Sequence, residues 1–269
     1  MTDSSHYVIR GGREGRERLR VLAGVMHPHS MALLDRCGLR EGFVCLDVGC
    51  GGGDMTLELA RRAGPGGRAE GVDMDLAKLD IARAEAAQRG VANVQFHHAD
   101  AREVSGPRVF DLVYARFLLT HLSDAAGMVR RFHEQVRPNG IVAVEDIDFS
   151  GHFTYPESGA FQRFRDLYCA TVIRRGGDPS VGVRLPLLLK DAGFEDIRVS
   201  IVQPMALEGD AKLMDALTLE AIAGAVLEDG LATRDEIDAL ARDLIAFAAD
   251  PRTLAGIPRV VQVSARRPE

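Results

Sequence analysis

Apolar runs and helix-spaced apolar residues alternate along residues 43–146. The apolar runs predict buried strands at 43–48, 68–72, 94–98, 110–114 and 141–144. Apolar residues at helical spacing between these runs predict helices at 54–63, 75–89 and 123–137. Strands joined by helical crossovers form parallel sheets, so the pattern predicts a doubly wound α/β fold.

Helical patterns also flank this alternation on both sides. A first helix is predicted at 15–26, and Pro28 suits the first turn of a second helix that extends to residue 37. Polar residues 1–14 predict a loose arm before them. After the alternation, the pattern predicts further helices at 157–175, 183–192, 210–229 and 233–249. Two late strands predict an antiparallel edge added to the sheet, at 194–202 and 259–265.

A glycine-rich turn separates the first strand from the first crossover helix. Residues 46–54 have the sequence LDVGCGGGD, in which four of five consecutive positions are glycine. Glycine tolerates positive φ and, because it lacks a Cβ, lets a ligand approach the backbone closely. The start of the following helix presents free N–H groups at the same place. The turn therefore predicts a ligand site.

Two carboxylates follow the next strands at the same edge of the predicted sheet. Asp73 ends the second strand, 20 residues beyond Gly53, and Asp100 ends the third. Ligands of open α/β sheets bind outside the carboxyl ends of the strands. There, we expect Asp73 to accept two hydrogen bonds from a ribose diol and Asp100 to accept one from an adenine amino group. Together with the glycine turn, the two acids predict a nucleoside ligand.

The last residue of the glycine turn separates two classes of nucleoside ligand. Dinucleotide-binding turns have the pattern G-x-G-x-x-G, whereas Asp54 occupies the position of the third glycine here. Its charge and bulk disfavour a pyrophosphate and suit a ligand that bears a positive charge or an amino acid. The sequence thus favours S-adenosylmethionine (S-adenosyl-L-methionine) as the cofactor, and an NAD-dependent dehydrogenase is the less favoured alternative.

The same segments resemble the motifs of the class I S-adenosylmethionine-dependent methyltransferase family, of the small-molecule type. The matching stretches are LDVGCGGGD at 46–54, GVDMD at 71–75, HHAD at 97–100, FDLVYARFLLTHL at 110–122 and VRPNGIVAVED at 136–146. Asn139 departs from the family, in which glycine is common at that turn. The resemblance covers roughly residues 40–150 and implies a Rossmann-like, seven-stranded, mostly parallel sheet whose last strand is antiparallel.

The resemblance also implies which residues contact the cofactor. By their positions in the motifs they are Asp47, Gly49, Gly51, Gly53, Asp73, Met74, Asp100, Ala101, Ala115 and Arg116. Together with the helical patterns, it predicts a single methyltransferase domain over residues 1–269. Its segments are N-terminal cover helices at 1–40, a cofactor-binding core at 41–150, a lid segment at 151–182 and a helical insertion at 204–257.

Methyl transfer to a small-molecule acceptor by in-line displacement is the reaction that the resemblance implies. Proximity and alignment contribute most to such a transfer, and a base is needed where the acceptor must lose a proton. His121 and Glu145 are the candidates for catalysis at the expected rim of the site. Four further side chains are candidates for substrate contact: His27, His29, His152 and Tyr155. Each of these residues has a structural alternative, such as a packed or capping histidine.

The composition indicates which binding partners and which cellular compartment to expect. A net charge of −6 and a pI of about 5.8 argue against a nucleic-acid partner. No uncharged apolar run approaches the ~20 residues that span a bilayer, so we expect no membrane partner. The four cysteines include no C-x-x-C pair, and the N-terminus is polar, which predicts reduced thiols in the cytoplasm. No spacing suits a metal, so we expect metal-independent transfer.

The sequence leaves the acceptor and its methylated atom (oxygen, nitrogen or carbon) open. An aromatic-rich segment at 153–175 predicts a closed roof, which favours a small molecule. The helical pair at 210–249 is a candidate interface for a homodimer. A different class of function is a protein of this fold that binds the cofactor but acts as a non-methylating enzyme or as a binding or regulatory module.

Overall fold

The computed structural model describes residues 12–103 and 109–269 of the chain, with side chains from residue 18 onward. Its helices are α1 (Gly12–Arg36), α2 (Asp54–Ala63), α3 (Leu76–Gln88), α4 (Ala125–Gln135), α5 (Gly159–Arg174), α6 (Leu185–Asp191), α7 (Met214–Glu228) and α8 (Arg234–Ala249). Its strands are β1 (Val44–Val48), β2 (Arg68–Asp73), β3 (Val94–His98), β4 (Phe110–Arg116), β5 (Val136–Asp148), β6 (Glu195–Val202), β7 (Met205–Ala206), β8 (Ala255–Gly256) and β9 (Arg259–Arg266).

A seven-stranded sheet with the order β3-β2-β1-β4-β5-β9-β6 forms the centre of the molecule. Strands β1 to β5 pair in parallel, and β9 pairs antiparallel with both β5 and β6. The predicted mostly parallel sheet and its antiparallel last strand are confirmed. The antiparallel strand is not itself the edge, however, because β9 returns after α7 and α8 and inserts between β5 and β6.

Strand β1 lies between β2 and β4, so the chain adds strands first on one side of β1 and then on the other. Ligands of doubly wound sheets bind in the crevice that this reversal opens at the carboxyl ends of the strands. The glycine turn after β1 and the segment after β4 therefore border the same crevice.

Helices cover both faces of the sheet, as the alternating side chains of β4 show. Leu112 and Tyr114 point into a core formed with α1 and α2, whereas Val113 and Ala115 point into a core formed with α4 and α6. Because β4 is buried on both faces, its sequence is almost continuously apolar, which is typical of a central parallel strand.

A third core lies above the carboxyl ends of the strands. It joins α1, α5, α7 and α8 through buried residues such as Met26, Phe164, Ile222 and Leu240. Phe149, which follows β5, belongs to this cluster and ties it to the sheet. The helices before and after the alternating region thus pack on one another and form a roof over the crevice.

The predicted break at Pro28 is wrong, because α1 continues through it as one helix of 25 residues. A proline in a helix interior clashes with the carbonyl four residues earlier, which here belongs to the exposed Gly24. Tertiary packing holds both halves in line: Met26 contacts the roof core, and Leu34 contacts the core beneath the sheet. The predicted arm at 1–14 lies outside the described residues except for its last three.

Within the described residues, none of the helices combines the length and the apolar character needed to cross a bilayer.

Candidate active site

A cavity of about 1640 Å³ lies outside the carboxyl ends of β1 and β4. The turns that follow β1, β2, β3 and β4 form one half of its wall, and side chains of α1, α5 and α7 form the other. The volume exceeds the ~300–1,000 Å³ of an ordinary ligand pocket. The cavity therefore has room for two small molecules side by side.

The glycine turn is fixed to the end of β2 by Asp73. Gly49 and Gly51 line the cavity with positive φ values of 73° and 53°. The Gly51 N–H donates to Oδ2 of Asp73 at 2.8 Å, and the N–H of Asp75 donates to Oδ1 at 2.9 Å. One carboxylate thus holds two backbone segments and still faces the cavity, where Asp54 also lines the wall.

Gly53 does not line the cavity, contrary to the predicted cofactor contact. It is left-handed, with φ 82°, and a Cβ built on it would lie 2.8 Å from Cβ of Ala82 and 2.9 Å from the ring of Phe96. This glycine allows α2 to approach α3 and β3 closely. Position 53 requires glycine because of the packing behind the turn.

Asp47 and Arg116 place opposite charges on the cavity floor. Asp47 is buried, and its Oδ2 accepts a hydrogen bond from Thr56 Oγ1 at 2.7 Å. The Arg116 guanidinium donates to Ser30 Oγ of α1 at 3.3 Å. Both residues line the cavity, so an ammonium and a carboxylate on one ligand each have a partner there.

Burial raises the pKa of Asp47 to about 6, against the lowering effects of the Thr56 hydrogen bond and the Arg116 charge. Between the ordinary value of 3.8 and about 6, the unfolded chain has released this proton while the folded chain retains it. Raising the pH through this window therefore favours unfolding.

We expect Asp47→Asn to remove this dependence. From pH 4.5 to 7.5, the ligand-free wild type should lose about 2 kcal/mol of unfolding free energy relative to the variant, since each unit of pKa shift is worth ~1.4 kcal/mol. Urea unfolding at both pH values measures the difference. Parallel pH curves for the two proteins would contradict the assignment.

The far end of the cavity, after β2 and β3, contains Met74, Asp100 and Ala101. Arg102 donates to both oxygens of Asp100, Nε to Oδ1 at 3.0 Å and Nη2 to Oδ2 at 2.6 Å. This hydrogen bonding is the main cause that holds the pKa of Asp100 below its ordinary value. The carboxylate is ionised and fixed in orientation, and its contact with an adenine stays a prediction.

His121 is one of the two predicted catalytic side chains, and it lines the cavity. The preceding turn is held by Asp146, which accepts from the N–H groups of Leu119 and Thr120 at 2.8 and 3.2 Å. Burial, together with nearby positive charges, lowers the pKa of His121 to about 3. Its imidazole is therefore neutral at ordinary pH.

Glu145, the other predicted catalytic residue, lies outside the cavity wall and is fully buried. Its carboxylate accepts hydrogen bonds from the hydroxyl of Tyr114 and, at 2.7 Å, from Nε2 of Gln262. Gln262 also donates to the backbone carbonyl of His29 at 3.1 Å. Because Tyr114 itself lines the cavity, Glu145 is placed to position this tyrosine and not to contact an acceptor.

The candidate substrate contacts lie outside the wall as well. His27 is exposed on α1, and Tyr155 is 70% exposed. His29 contributes only its carbonyl to the network just described, and His152 is buried one layer behind the wall. Ala115, a predicted cofactor contact, points into the core beside α4. These placements do not support the predicted contacts. The sequence located each residue on its helix or strand but did not show which way its side chain points.

The polar wall residues that the sequence reasoning missed include Arg18 of α1 and Asp215 and Thr218 of α7. Nε of Arg18 in α1 donates to Oγ1 of Thr218 in α7 at 3.0 Å. A signal for Asp215 was present, since it falls on the same helical stripe as the buried Leu219 and Ile222. A lone acid on an apolar stripe marks a group that faces either a partner or a cavity.

A family model described as a methyltransferase domain matches residues 39–168. Residues 39–168 are a methyltransferase domain. The predicted resemblance to the methyltransferase family is thereby confirmed for these residues. The strands and turns of this domain supply the half of the cavity that contains Asp47, Asp73 and Asp100. The helices that close the other half lie largely outside the matched region.

Part of the chain is similar to a curated O-methyltransferase. The ubiquinone biosynthesis O-methyltransferase of Pseudomonas paraeruginosa is 36% identical over 116 residues, which are 42% of this chain and 48% of that protein. The chain thus spans about half the length of this curated relative.

Among solved structures, phosphoethanolamine N-methyltransferase 2 of Haemonchus contortus, in complex with phosphomonomethylethanolamine and S-adenosylhomocysteine, superimposes with a TM-score of 0.60 at 20% identity. The superposition covers 93% of this chain and 56% of that one. The cyclase SpnF gives 0.57 at 22% identity, over 90% of this chain and 80% of its own. These likenesses show the fold of the methyltransferase domain and its roof.

Proposed function

We propose that the protein is an enzyme that transfers the methyl group of S-adenosylmethionine to a small-molecule acceptor, without a metal ion. One observation carries the proposal: a single continuous cavity joins the strand-end carboxylates to an apolar compartment beneath the roof helices. A site with room for donor and acceptor together is what a direct transfer requires.

The residues of the polar half fit the proposed cofactor. Asp73 suits a ribose diol, because a carboxylate accepts two hydrogen bonds from adjacent hydroxyls. Asp47 and Arg116 suit the ammonium and carboxylate of the amino-acid portion, and Met74, which also lines the cavity, suits a contact with the base. When bound, the cofactor supplies an electrophilic methyl group on a sulfonium. The chain aligns the acceptor with that group and excludes water.

The acceptor half is enclosed by helices, which supports a small molecule over a macromolecule. Leu22 of α1, Phe164 and Tyr168 of α5 and Met214 of α7 contribute to its wall. The net charge of −6 offers no general attraction for nucleic acid. The four cysteines are free thiols, which fits a cytoplasmic enzyme.

Calorimetry with S-adenosylmethionine and S-adenosylhomocysteine tests the cofactor, and release of S-adenosylhomocysteine in the presence of acceptors tests the transfer. We expect both ligands to bind to one site per chain. Failure of both to bind would overturn the proposal. Binding without release of S-adenosylhomocysteine from any acceptor would favour the alternative of a non-methylating enzyme or binding module.

A further inference from the structure

One carboxylate lies in the apolar half of the cavity, far along the chain from the methyltransferase motifs. Asp215 of α7 is 5% exposed and lines the wall. The side chains around this part of the cavity are apolar or aromatic: Ile147, Phe149, Phe164, Tyr168, Met214 and Ile257. Phe149 and Tyr168 are stacked, with ring centroids 4.2 Å apart. A carboxylate in such surroundings is costly unless something completes its hydrogen bonding.

The neighbouring imidazole of His152 does not complete it. Nε2 of His152 lies 3.5 Å from Oδ1 of Asp215, but this nitrogen is 3.0 Å from the carbonyl oxygen of Gly256. A carbonyl only accepts, so Nε2 carries the hydrogen and donates it there. Burial lowers the pKa of His152 to about 4, so the ring is neutral and supplies no positive charge to Asp215. Burial likewise raises the pKa of Asp215 well above its ordinary value.

We infer that Asp215 anchors the acceptor by accepting a hydrogen bond from a hydroxyl on an apolar, ring-bearing molecule. The inference rests on the proposed function, of which it specifies the substrate class. The aromatic side chains suit a flat ring, and Asp215 supplies a polar contact beside them.

A hydroxyl suits this position better than an ammonium group. Burial favours the uncharged form of Asp215, and an uncharged carboxyl forms no ion pair that would offset the lost hydration of an ammonium group. A neutral hydroxyl also loses less hydration than an ammonium when it enters an apolar cavity.

The test uses 2-naphthol, 2-methoxynaphthalene and 2-naphthylmethylamine as probes, with the full chain saturated with S-adenosylhomocysteine. Naphthalene fluorescence gives each Kd. We expect the wild type to bind 2-naphthol about tenfold more tightly than 2-methoxynaphthalene, since the naphthol hydroxyl donates a hydrogen bond to Asp215 and the methoxy group has no hydrogen to donate. Asp215→Leu should reduce this ratio to within about twofold, and Asp215→Asn should retain part of it because its amide oxygen still accepts.

Glu220→Gln is the matched control, since Glu220 is exposed on the same helix and lies outside the cavity wall. It should keep the wild-type ratio. An unchanged ratio in Asp215→Leu, a preference for the amine, or no binding of any probe at 1 mM would overturn the inference. Binding of S-adenosylhomocysteine by each variant is measured first. Loss of that binding in the wild type would refute the proposed function itself, whereas loss in Asp215→Leu alone would indicate misfolding and leave the decision to Asp215→Asn.

Discussion

Gly53→Ala is expected to lower the free energy of unfolding by about 4 kcal/mol. The residue has φ 82°, a left-handed conformation that costs a side-chain-bearing residue ~1–2 kcal/mol. The added Cβ would also lie 2.8 Å from Ala82 and 2.9 Å from Phe96, and overpacking of this kind costs ~1–3 kcal/mol. The backbone penalty and the overpacking penalty add, because the same methyl group causes both. Urea unfolding of the ligand-free protein measures the change.

Gly90→Ala separates the two causes. Gly90 also has a positive φ, of 66°, but an added Cβ would meet no atom within 4 Å. Only the backbone penalty applies there, so the loss should be about 1 kcal/mol. Equal losses in the two variants would show that the close approach of α2 to α3 and β3 at Gly53 has no energetic weight.

Asp73→Ala is expected to weaken S-adenosylmethionine binding by at least tenfold. We expect about a hundredfold, because the substitution removes both roles of the carboxylate. The first role is the hydrogen bonding of the ribose by an ionised group, worth roughly 1.5–3 kcal/mol. The second is to hold the glycine turn, whose Gly51 N–H donates to Oδ2 at 2.8 Å. Without this acceptor, the turn must be ordered at the expense of binding energy. Isothermal titration calorimetry gives the Kd directly.

Two further variants test whether the loss of affinity is specific to the carboxylate of Asp73. Glu70→Ala removes an acid from the same strand but outside the cavity wall, and its affinity should equal that of the wild type. Asp73→Asn retains one acceptor oxygen and should fall between wild type and alanine. An Asp73→Ala protein with wild-type affinity would show that the ribose is not held at the end of β2.

The sheet and the cofactor half of the cavity were predictable because both depend on the succession of strands and turns along the chain. Asp47, Asp73 and Asp100 each stand at or near the end of a parallel strand, and parallel strands bring such ends to one edge whatever the details of packing. A strand boundary misplaced by a residue or two does not move them out of the crevice.

The acceptor half was not predictable in the same way, because it depends on how distant segments face each other. Glu145 follows directly from the strand pattern, yet the hydroxyl of Tyr114 and the amide of Gln262 enclose it. Asp215 reaches the cavity only through the packing of α7 on α1 and α5. The side on which a helix exposes an acid is decided by tertiary contacts, which a single sequence does not display.

The position of β9 has a consequence for the order in which the protein forms. This strand is hydrogen-bonded on both sides, to β5 and to β6, although it is the last element along the described chain. During synthesis, β1 to β5 can pair long before β9 leaves the ribosome, whereas the partner of β6 in the folded sheet is β9. Such long-range pairings are intrinsically slow because a large loop must close first. Until β9 arrives, Glu145 lacks its Gln262 partner, so assembly of the core beneath Tyr114 ends with this strand.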